Sequence, residues 1–275
     1  MGIRRFVRKR LLSRLSDEMR ILVERIYYYP YVRREVKIFK HLCDPNKVAL
    51  DVGANKGDVS LYLSKLASHV CSFEPIKHLC DSMQSRFKGS NVSIYNCALG
   101  NNQGEMYINI PCIGTRQIDS RSSLIKDFTV ESIKGNAITK VEKEKIRIER
   151  LDDLAIKNIG FIKIDVEGFE FEVMKGGANT IKTEMPNLYI EIEQRHHEHE
   201  NIIAVINAIC AFGYEGFFYC NNVLRSVKEF NPEEMQQIAH EKSDRYINNF
   251  IFIPEKASSN RGNNPLPFKK KHNNI

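Results

Sequence analysis

The stretch V-A-L-D-V-G-A-N-K-G-D, residues 48–58, combines an apolar run, an acid and a turn framed by two glycines. Asp51 stands near the end of the apolar run, Gly53 and Gly57 frame the turn, and a helical pattern begins at Asp58. This order predicts a buried strand, a tight turn and a helix. Because glycine has no Cβ, such a turn lets the backbone approach a ligand closely, and nucleotide-like ligands bind at this point of doubly wound α/β sheets.

The spacing of the glycines narrows the choice of ligand. The pattern G-x-x-x-G is neither the G-x-G-x-x-G of dinucleotide sites nor a phosphate-binding loop, which requires G-K-[ST]. An acid at Asp51 suits a ligand with a cationic amino-acid end better than a pyrophosphate. S-adenosylmethionine carries an ammonium and a sulfonium, so we predict that Asp51, Gly53, Asn55 and Gly57 hold its methionine end.

The second predicted strand also ends in an acid. It reads C-S-F-E-P and places Glu74 23 residues after Asp51. An acid about 20 residues past a glycine turn accepts hydrogen bonds from ribose hydroxyls, so Glu74 is predicted to hold the ribose. The alternative is that the glycines only make a tight turn and that Asp51 or Glu74 caps a helix.

Strand and helix patterns alternate on both sides of residues 101–150. This alternation predicts a mostly parallel sheet with helices on both faces, and the last two strands are candidates for an antiparallel pair at one edge. Residues 101–150 break the alternation and are predicted to be an insertion over the top of the sheet, with strands at Glu105–Ile110 and Lys145–Glu149. The predicted strands are Val48–Val52, His69–Phe73, Val92–Asn96, Phe161–Asp165, Asn187–Glu193, Gly216–Cys220 and Asn249–Ile253. The predicted helices are Asp58–Leu66, Lys77–Arg86, Glu170–Ile181 and Ile202–Phe212.

A third acidic strand end appears in F-I-K-I-D-V-E-G-F-E, residues 161–170. Ligands of open α/β sheets bind at the carboxyl ends of the strands, where this acidic segment is expected. We predict that Asp165 faces the cofactor or the acceptor, and that Glu167 or Glu191 orients or deprotonates an acceptor hydroxyl. The alternative is that Asp165 or Glu167 only caps the following helix, whose N-terminus favours negative charge.

Together these motifs resemble the FkbM family of class I S-adenosylmethionine-dependent methyltransferases. The segment L-D-V-G-A-N-K-G resembles motif I of the class. The family's L-D-D-L is found at Leu151–Leu154, its K-I-D-V-E-G-x-E at Lys163–Glu170, and its L-K-G-A at Met174–Gly177 with Met and Gly in place of the usual Leu and Ala. The strand L-Y-I-E-I-E and the S-S-L of Ser122–Leu124 also match, and the resemblance covers residues 46–255.

This resemblance implies a Rossmann-like fold with a mostly parallel, seven-stranded sheet, S-adenosylmethionine as cofactor, and methyl transfer, usually to oxygen. The residues after the third strand, among them Ala98, should border the adenine. The expected acceptor is a hydroxyl on a sugar, a glycan or another small molecule. Two other functions are considered: a binding module of the same fold without catalysis, and a nicotinamide-dependent oxidoreductase, which the glycine spacing disfavours.

Two polar clusters each allow more than one interpretation. The run E-Q-R-H-H-E-H-E, residues 193–200, contains three histidines but no H-E-x-x-H pattern, so we interpret it as a charged, solvated loop and predict no metal site. One of its histidines could still contact the substrate. In the insertion, contact with the acceptor and an ordinary polar loop are equally open for Arg116, Arg121, Ser122 and Ser123.

The net charge of +7 belongs to the ends of the chain. Residues 1–16 and 257–275 carry ten Lys and Arg and no acid, so the rest of the chain has a net charge of 7 − 10 = −3. A nucleic-acid-binding domain would more often be basic across a folded face, so no nucleic-acid partner is expected. We predict a basic amphipathic helical extension at 1–45, the catalytic domain at 46–255 and a disordered basic tail at 256–275. Seven scattered cysteines without a C-x-x-C pair indicate a reducing, cytoplasmic setting, and contact of residues 1–14 with a membrane surface is left open.

Overall fold

The structure is a computed structural model that describes residues 37–113, 116–117, 122, 124, 132–133, 136–197, 201–221, 223–237 and 245–255. The chain divides into two compact units, Met1–Lys40 and His41–Ile275, and the strands of the described residues and the candidate site belong to the second. The predicted membrane contact of residues 1–14 and the predicted tail at 256–275 lie outside the described residues. Within the described part, none of the helices combines the length and hydropathy needed to cross a bilayer.

The described part of the second unit contains fourteen strands and six α-helices that lie wholly within it. The strands are β1 (Val48–Val52), β2 (His69–Phe73), β3 (Val92–Tyr95), β4 (Ala98–Leu99), β5 (Gly104–Ile113), β6 (Arg116–Gln117), β7 (Ser132–Ile133), β8 (Asn136–Ala137), β9 (Lys140–Glu149), β10 (Ile159–Ile164), β11 (Asn187–Glu191), β12 (Tyr214–Cys220), β13 (Val223–Ser226) and β14 (Asn249–Pro254). The helices are α1 (Asp58–Leu63), α2 (Lys77–Arg86), α3 (Glu170–Gly176), α4 (Ala178–Glu184), α5 (Ile202–Cys210) and α6 (Pro232–Met235). Single 3₁₀ turns occur at Leu151–Leu154, Gln194–His196 and Val227–Glu229, and residues 37–42 are helical.

The large sheet has the strand order β13-β12-β14-β11-β10-β1-β2-β3. Strands β3, β2, β1, β10 and β11 pair in parallel, whereas β14, β12 and β13 pair antiparallel. All six residues of β10 are buried, because the strand lies inside the sheet and is covered on both faces. The parallel arrangement brings the carboxyl ends of β1, β2, β10 and β11 to one edge, as the alternating pattern predicted.

The sheet has eight strands, so the prediction of seven is wrong by one. The additional strand is β13, which forms a hairpin with β12 through a turn at Asn221, where φ is +51°. Its sequence V-L-R-S is short and half polar, so the sequence pattern does not predict a strand there. The predicted antiparallel pair is present, but β14 lies between β11 and β12 and not at the edge.

The insertion forms a second sheet of its own, with strand order β4-β9-β5-β6. The strands β5 and β9 are each ten residues long and pair antiparallel, so the two predicted strands exist and are longer than expected. On the buried side of this hairpin, Ile108, Ile110 and Ile146 pack against Ile76 and Leu79 of the main domain. The insertion is therefore anchored beside the strand ends by an apolar contact.

The predicted single helix Glu170–Ile181 is wrong, because the segment forms two helices that meet at Gly177. At the end of α3 the backbone passes very close to the loop after β4. A Cβ on Gly176 would lie 1.9 Å from the carbonyl oxygen of Gly100, so only glycine fits at this position. The K-G-G segment is thus explained by packing between α3 and the β4 loop.

Candidate functional site

One cavity of about 330 Å³ opens at the carboxyl ends of β1, β2, β10 and β11. Seven of the nine predicted site residues line it: Gly53, Asn55, Glu74, Ala98, Asp165, Glu167 and Glu191. The other two, Asp51 and Gly57, lie buried behind this lining. The remaining lining residues are Val52, Phe73, Pro75, Ile76, Leu99, Ile108, Ser122, Leu124, Val166, Phe169 and Arg195.

The glycine turn brings β1 into direct contact with the end of β10. Gly53 has φ +76°, a conformation that side chains disfavour, and its N–H donates to the carbonyl of Phe73 at 3.1 Å. A Cβ on Gly53 would lie 1.9 Å from the carbonyl oxygen of Asp165. The close approach at Gly53 is therefore to the neighbouring strand end, and its predicted approach to a ligand stays a prediction.

Glu74 is held in one orientation at the cavity wall. Its carboxylate accepts the N–H of Asn55 on one oxygen and the N–H of Ile76 on the other, both at 2.8 Å, and the residue is only 3 % exposed. A carboxylate offers about four acceptor positions, so these two bonds fix the group without using up its capacity. This geometry fits the two hydroxyls of a ribose, and the neighbouring apolar residues Phe73, Ala98 and Leu99 fit an adenine ring. The residues present thus match a nucleoside such as that of S-adenosylmethionine.

Asp51 belongs to a polar group buried behind the glycine turn. One of its carboxylate oxygens accepts the Ser60 hydroxyl at 2.6 Å, and the other lies 3.6 Å from the Nζ of Lys163. The Lys163 ammonium also donates to Asp165 at 3.2 Å and to the Gly53 carbonyl at 3.3 Å. Lys163 was missed by sequence reasoning, although a lysine inside the apolar run F-I-K-I-D was a visible signal.

Asp165 and Glu167 occupy the turn between β10 and α3 but differ in their surroundings. The Asp165 side chain is 36 % exposed and bonded to Lys163. Glu167 has φ +52° and pairs with His196 at 2.7 Å. The alternative that Glu167 caps α3 finds no support in these contacts. The turn is braced instead by Glu170, which accepts the Gly168 N–H at 2.9 Å.

The histidine run is more than a solvated loop, so that interpretation was wrong for its first part. His197 is only 6 % exposed and bonds Glu170 at 3.1 Å, and His196 bonds Glu167. These two pairs tie the loop after β11 to the turn after β10. In the described part of the chain, no three metal-ligating side chains form a group, and residues 198–200 lie outside it.

Glu191 lies at the end of β11 and is held by a side chain that the sequence reading did not single out. Asn248, just before β14, donates from its amide to Glu191 at 2.8 Å and to Glu193 at 2.9 Å. Glu193 is almost fully buried and is also bonded by Tyr246 and Arg195. Asn248 is distant in sequence from both glutamates, so the chain order alone gave no signal for it.

These surroundings shift the protonation of three groups in different directions. Burial raises the pKa of Glu191 well above its usual range, and the nearby Asp165 and Glu193 raise it further. Burial acts in the same direction on Glu193, but the Arg195 guanidinium and the Asn248 amide outweigh it and lower its pKa. Burial opposes the charge on Lys163, yet Asp165 and Asp51 outweigh that effect, so its pKa is raised.

The other motif residues have traceable positions. Asp152 of the L-D-D-L segment accepts the backbone N–H groups of Asn179 and Thr180 at the start of α4, so its role is structural. Ser122 lines the cavity, and within the described chain its buried hydroxyl has no hydrogen-bond partner. Arg121 and Ser123 lie outside the described residues, as does the side chain of Arg116.

Comparison with known proteins identifies the family. A family model described as the methyltransferase FkbM domain matches residues 51–215. A probable cobalt-precorrin-6B C(15)-methyltransferase of Methanococcus maripaludis is 27% identical over 137 residues, 48% of this chain and 75% of that protein. Methyltransferase 1 of Beauveria bassiana is 23% identical over 141 residues, 46% of this chain and 57% of that protein. A crystal structure of a methyltransferase FkbM from Methylobacillus flagellatus KT is 16% identical with a TM-score of 0.48, over 89% of this chain and 57% of that chain.

The chain thus spans little more than half the length of two of these three relatives. The match to the family model, however, covers more than half of the chain and includes the acidic ends of β1, β2, β10 and β11. The predicted α/β methyltransferase fold is confirmed, with the correction to eight strands, and so is S-adenosylmethionine as the cofactor. The chain therefore belongs to the FkbM family of methyltransferases.

Proposed function

We propose that the protein transfers the methyl group of S-adenosylmethionine to a hydroxyl of a sugar, a glycan or another small molecule. The observation that carries the proposal is the single cavity that contains Glu74, Asp165 and Glu191. Glu74 belongs to the predicted nucleoside end, and Glu191 lies at the far side of the row of strand ends, with Asp165 between them. One cavity therefore borders both the residues proposed for the cofactor and those proposed for the acceptor.

The roles of the chain's residues follow from this order. Glu74 would take the ribose hydroxyls, and the glycine turn with Asp165 would face the methionine end. When bound, the cofactor supplies a methyl group on a positively charged sulfur that is already a good leaving group. The protein then has three tasks, which are to align the acceptor oxygen, to exclude water and to remove the hydroxyl proton.

Glu191 is the proposed general base. It lines the cavity, and burial together with two neighbouring carboxylates raises its pKa. A carboxylate whose pKa approaches the working pH accepts a proton from an acceptor more effectively than an ordinary one. Glu167 lines the same cavity but is paired with His196, which suits a residue that orients the acceptor.

The lining near Glu191 supports a polyhydroxylated acceptor. Glu167 can accept hydrogen bonds from hydroxyl groups, and Arg195 can donate. Phe169 adds an apolar ring to the lining of the same cavity. This mixture of acceptors, a donor and a ring matches the chemistry of a sugar, in agreement with the substrates that the family resemblance implies.

The proposal is tested in two steps with the purified full chain. Titration calorimetry with S-adenosylhomocysteine and, separately, with NAD should show binding of the first and none of the second. Cell extracts and pools of sugars and glycans are then incubated with cofactor that carries a labelled methyl group. Transfer of label to a hydroxyl supports the proposal, and transfer to nitrogen or carbon contradicts its oxygen specificity. Binding of S-adenosylhomocysteine with no transfer to any acceptor would favour a binding module.

A further inference from the structure

Lys163 stands out because it is a charged side chain inside the central strand of the sheet. Its side chain is 9 % exposed, and it follows Phe161 and Ile162, both of which are 1 % exposed. It does not line the cavity, so the mechanism above makes no use of it. Burying an ammonium in this way is costly unless other groups compensate for the lost water.

Three groups compensate for the water that the Lys163 ammonium loses on burial, and they lie at the ends of β1 and β10. In the parallel register of β1 and β10, Lys163 lies beside Asp51, so both side chains lie on the same face of the sheet. The ammonium is 3.6 Å from Asp51, 3.2 Å from Asp165 and 3.3 Å from the Gly53 carbonyl. A single cation thus connects the buried end of β1, the glycine turn and the cavity wall.

This connection extends away from the cavity as a row of hydrogen bonds. The Ser72 hydroxyl on β2 donates to Ser60 on α1 at 2.9 Å, and Ser60 donates to Asp51 at 2.6 Å. Ser72, Ser60 and Asp51 are all 0 % exposed. Four elements, β2, α1, β1 and β10, therefore fix the position of the ammonium and, through it, of Asp165.

Charge at this end of the cavity is also balanced by the lysine. The acidic groups of Asp51, Asp165 and the more distant Glu191 surround the ammonium. The carbonyl oxygen of Gly53, the negative end of a peptide dipole, also faces it. Without the cation, Asp51 and Asp165 would repel each other across a buried space, and their side chains would move apart. With it, the Asp165 side chain stays directed at the cavity, where it can accept a bond from the ammonium of an amino-acid ligand.

We infer that Lys163 is a positioning residue that orders Asp165 and the Gly53 carbonyl to receive the amino-acid end of the cofactor. The inference rests on the proposed function, because it takes the ligand to be S-adenosylmethionine bound in this cavity. It assigns no contact between Lys163 and the cofactor. Lys163 acts through its two neighbours, and the adenosine end, held by Glu74, is independent of it.

The test compares two ligands that differ only at the end in question. S-adenosylhomocysteine has the amino-acid end, whereas 5′-methylthioadenosine has the nucleoside and the sulfur but lacks the ammonium and the carboxylate. In the Lys163→Met protein, calorimetry should show S-adenosylhomocysteine binding weakened roughly tenfold or more, as expected for a lost bond to a charged group. Binding of 5′-methylthioadenosine should stay within about twofold of the unmodified protein. A lysine needed only for the fold would weaken both ligands equally.

Two further comparisons control for the chemical change itself and for a Lys163→Met protein that fails to fold. Lys157→Met makes the same chemical change at an exposed position in the turn before β10 and should leave both affinities unchanged. If Lys163→Met does not fold, the double variant Asp51→Asn, Lys163→Met removes both buried charges and is compared with Asp51→Asn alone. The double variant should bind S-adenosylhomocysteine roughly tenfold more weakly than Asp51→Asn.

The outcomes separate this inference from the function on which it rests. If the unmodified protein does not bind S-adenosylhomocysteine, the proposed function fails and the inference falls with it. If the unmodified protein binds but Lys163→Met binds equally well, or loses both ligands in parallel, only the inference is overturned. Equal binding by Asp51→Asn and the double variant would overturn it as well.

Discussion

Carboxylates at the strand ends of this protein have different surroundings, and these surroundings support the different roles proposed for them. Glu74 is bonded to two backbone N–H groups, Asp165 is partly exposed and bonded to a lysine, and Glu191 is half-buried among other acids. The surroundings of Glu191 favour the protonated form of its carboxyl group. A group poised in this way can take up a proton during the reaction.

Replacing Glu191 by Gln should abolish the base and leave the cofactor end intact. We expect methyl transfer to fall by roughly 10²- to 10⁴-fold, the usual contribution of general-base catalysis. The affinity for S-adenosylhomocysteine should change by less than about twofold, because Glu74 and the glycine turn are untouched. The measurements are initial rates of label transfer and titration calorimetry. Glu234→Gln, at an exposed position on α6, is the control, and a Glu191→Gln protein with full activity would refute the assignment.

The pH dependence of the rate should report the raised pKa of Glu191. Because the base acts in its ionised form, the rate should rise with pH through that pKa, above the ordinary range near 4.3. Replacing Glu193 by Gln removes a charge that raises the pKa of Glu191. The rising limb of the Glu193→Gln profile should therefore lie at lower pH than that of the unmodified protein. An unchanged or higher midpoint, measured under saturating cofactor, would contradict the role of Glu193.

At the scale of residues, the sequence was informative wherever a strand end and its acid are adjacent in the chain. Asp165 and Glu74 could be predicted for this reason, because the carboxyl ends of parallel strands meet at one edge. Lys163 and Asn248 could not be assigned a role, since each acts on groups brought near it only by sheet pairing. The same limit applies to Asp51, which the turn pattern predicted at the ligand and which the fold buries completely, outside the cavity lining.

At the scale of elements, the contact between α3 and the β4 loop depends on the absence of one methyl group. An alanine at an ordinary helical position stabilises a helix relative to glycine by up to about 1 kcal/mol. Gly176→Ala should do the opposite, because its Cβ would lie 1.9 Å from the Gly100 carbonyl oxygen. We expect a destabilisation of about 1–3 kcal/mol, the usual cost of overpacking, measured by denaturant unfolding. A variant as stable as the unmodified protein would show that the two elements can separate freely.

The start of α4 should owe part of its stability to Asp152, which accepts two of the helix's backbone N–H groups. Asp152→Ala should cost about 0.5–2 kcal/mol, the range for a lost cap. Partial burial raises the pKa of Asp152, but the bonds from Thr180 and Asn179 outweigh it, and the net pKa is lowered. The stability difference should therefore be complete above about pH 4 and shrink as pH falls through the lowered pKa. Unfolding curves at several pH values check this, and a difference that does not depend on pH would contradict the assigned bonds.

Elements with a clear apolar pattern in the sequence were predictable, whereas those that depend on contacts between distant residues were not. The strands β1 and β2 have the predicted bounds because each is a short apolar run next to turn residues. The break between α3 and α4 was missed, although the adjacent Gly176 and Gly177 are a local signal for it. Only the close contact with Gly100, which is distant in the sequence, shows why residue 176 must be glycine. The insertion was recognised as an interruption, but its long hairpin is only half apolar and extends beyond the predicted strands.

For the molecule as a whole, cofactor binding and folding are coupled, because the cavity is lined from four strands of one sheet and from the insertion. A ligand at about 100 times its Kd stabilises the folded state by about 2.7 kcal/mol, which corresponds to a rise in Tm of roughly 5–10 °C for a chain of this size. S-adenosylhomocysteine should produce such a rise in the unmodified protein. Glu74→Gln places an amide donor opposite backbone donors and should remove most of it. Thermal unfolding of each protein with and without S-adenosylhomocysteine measures the two rises in Tm. An equal rise in Glu74→Gln would exclude Glu74 as the ribose ligand.

The position of β14 has a consequence for the order in which the protein is made. This strand comes late in the chain, at Asn249–Pro254, yet it lies between β11 and β12, which are synthesised earlier. On the ribosome, β11 therefore has one open edge until residue 254 has emerged, and Asn248 arrives with the same segment. The nucleoside end of the cavity can be built from early residues, whereas the environment of Glu191 is completed last. A nascent chain would thus acquire the means to hold a cofactor before it acquires the means to use one.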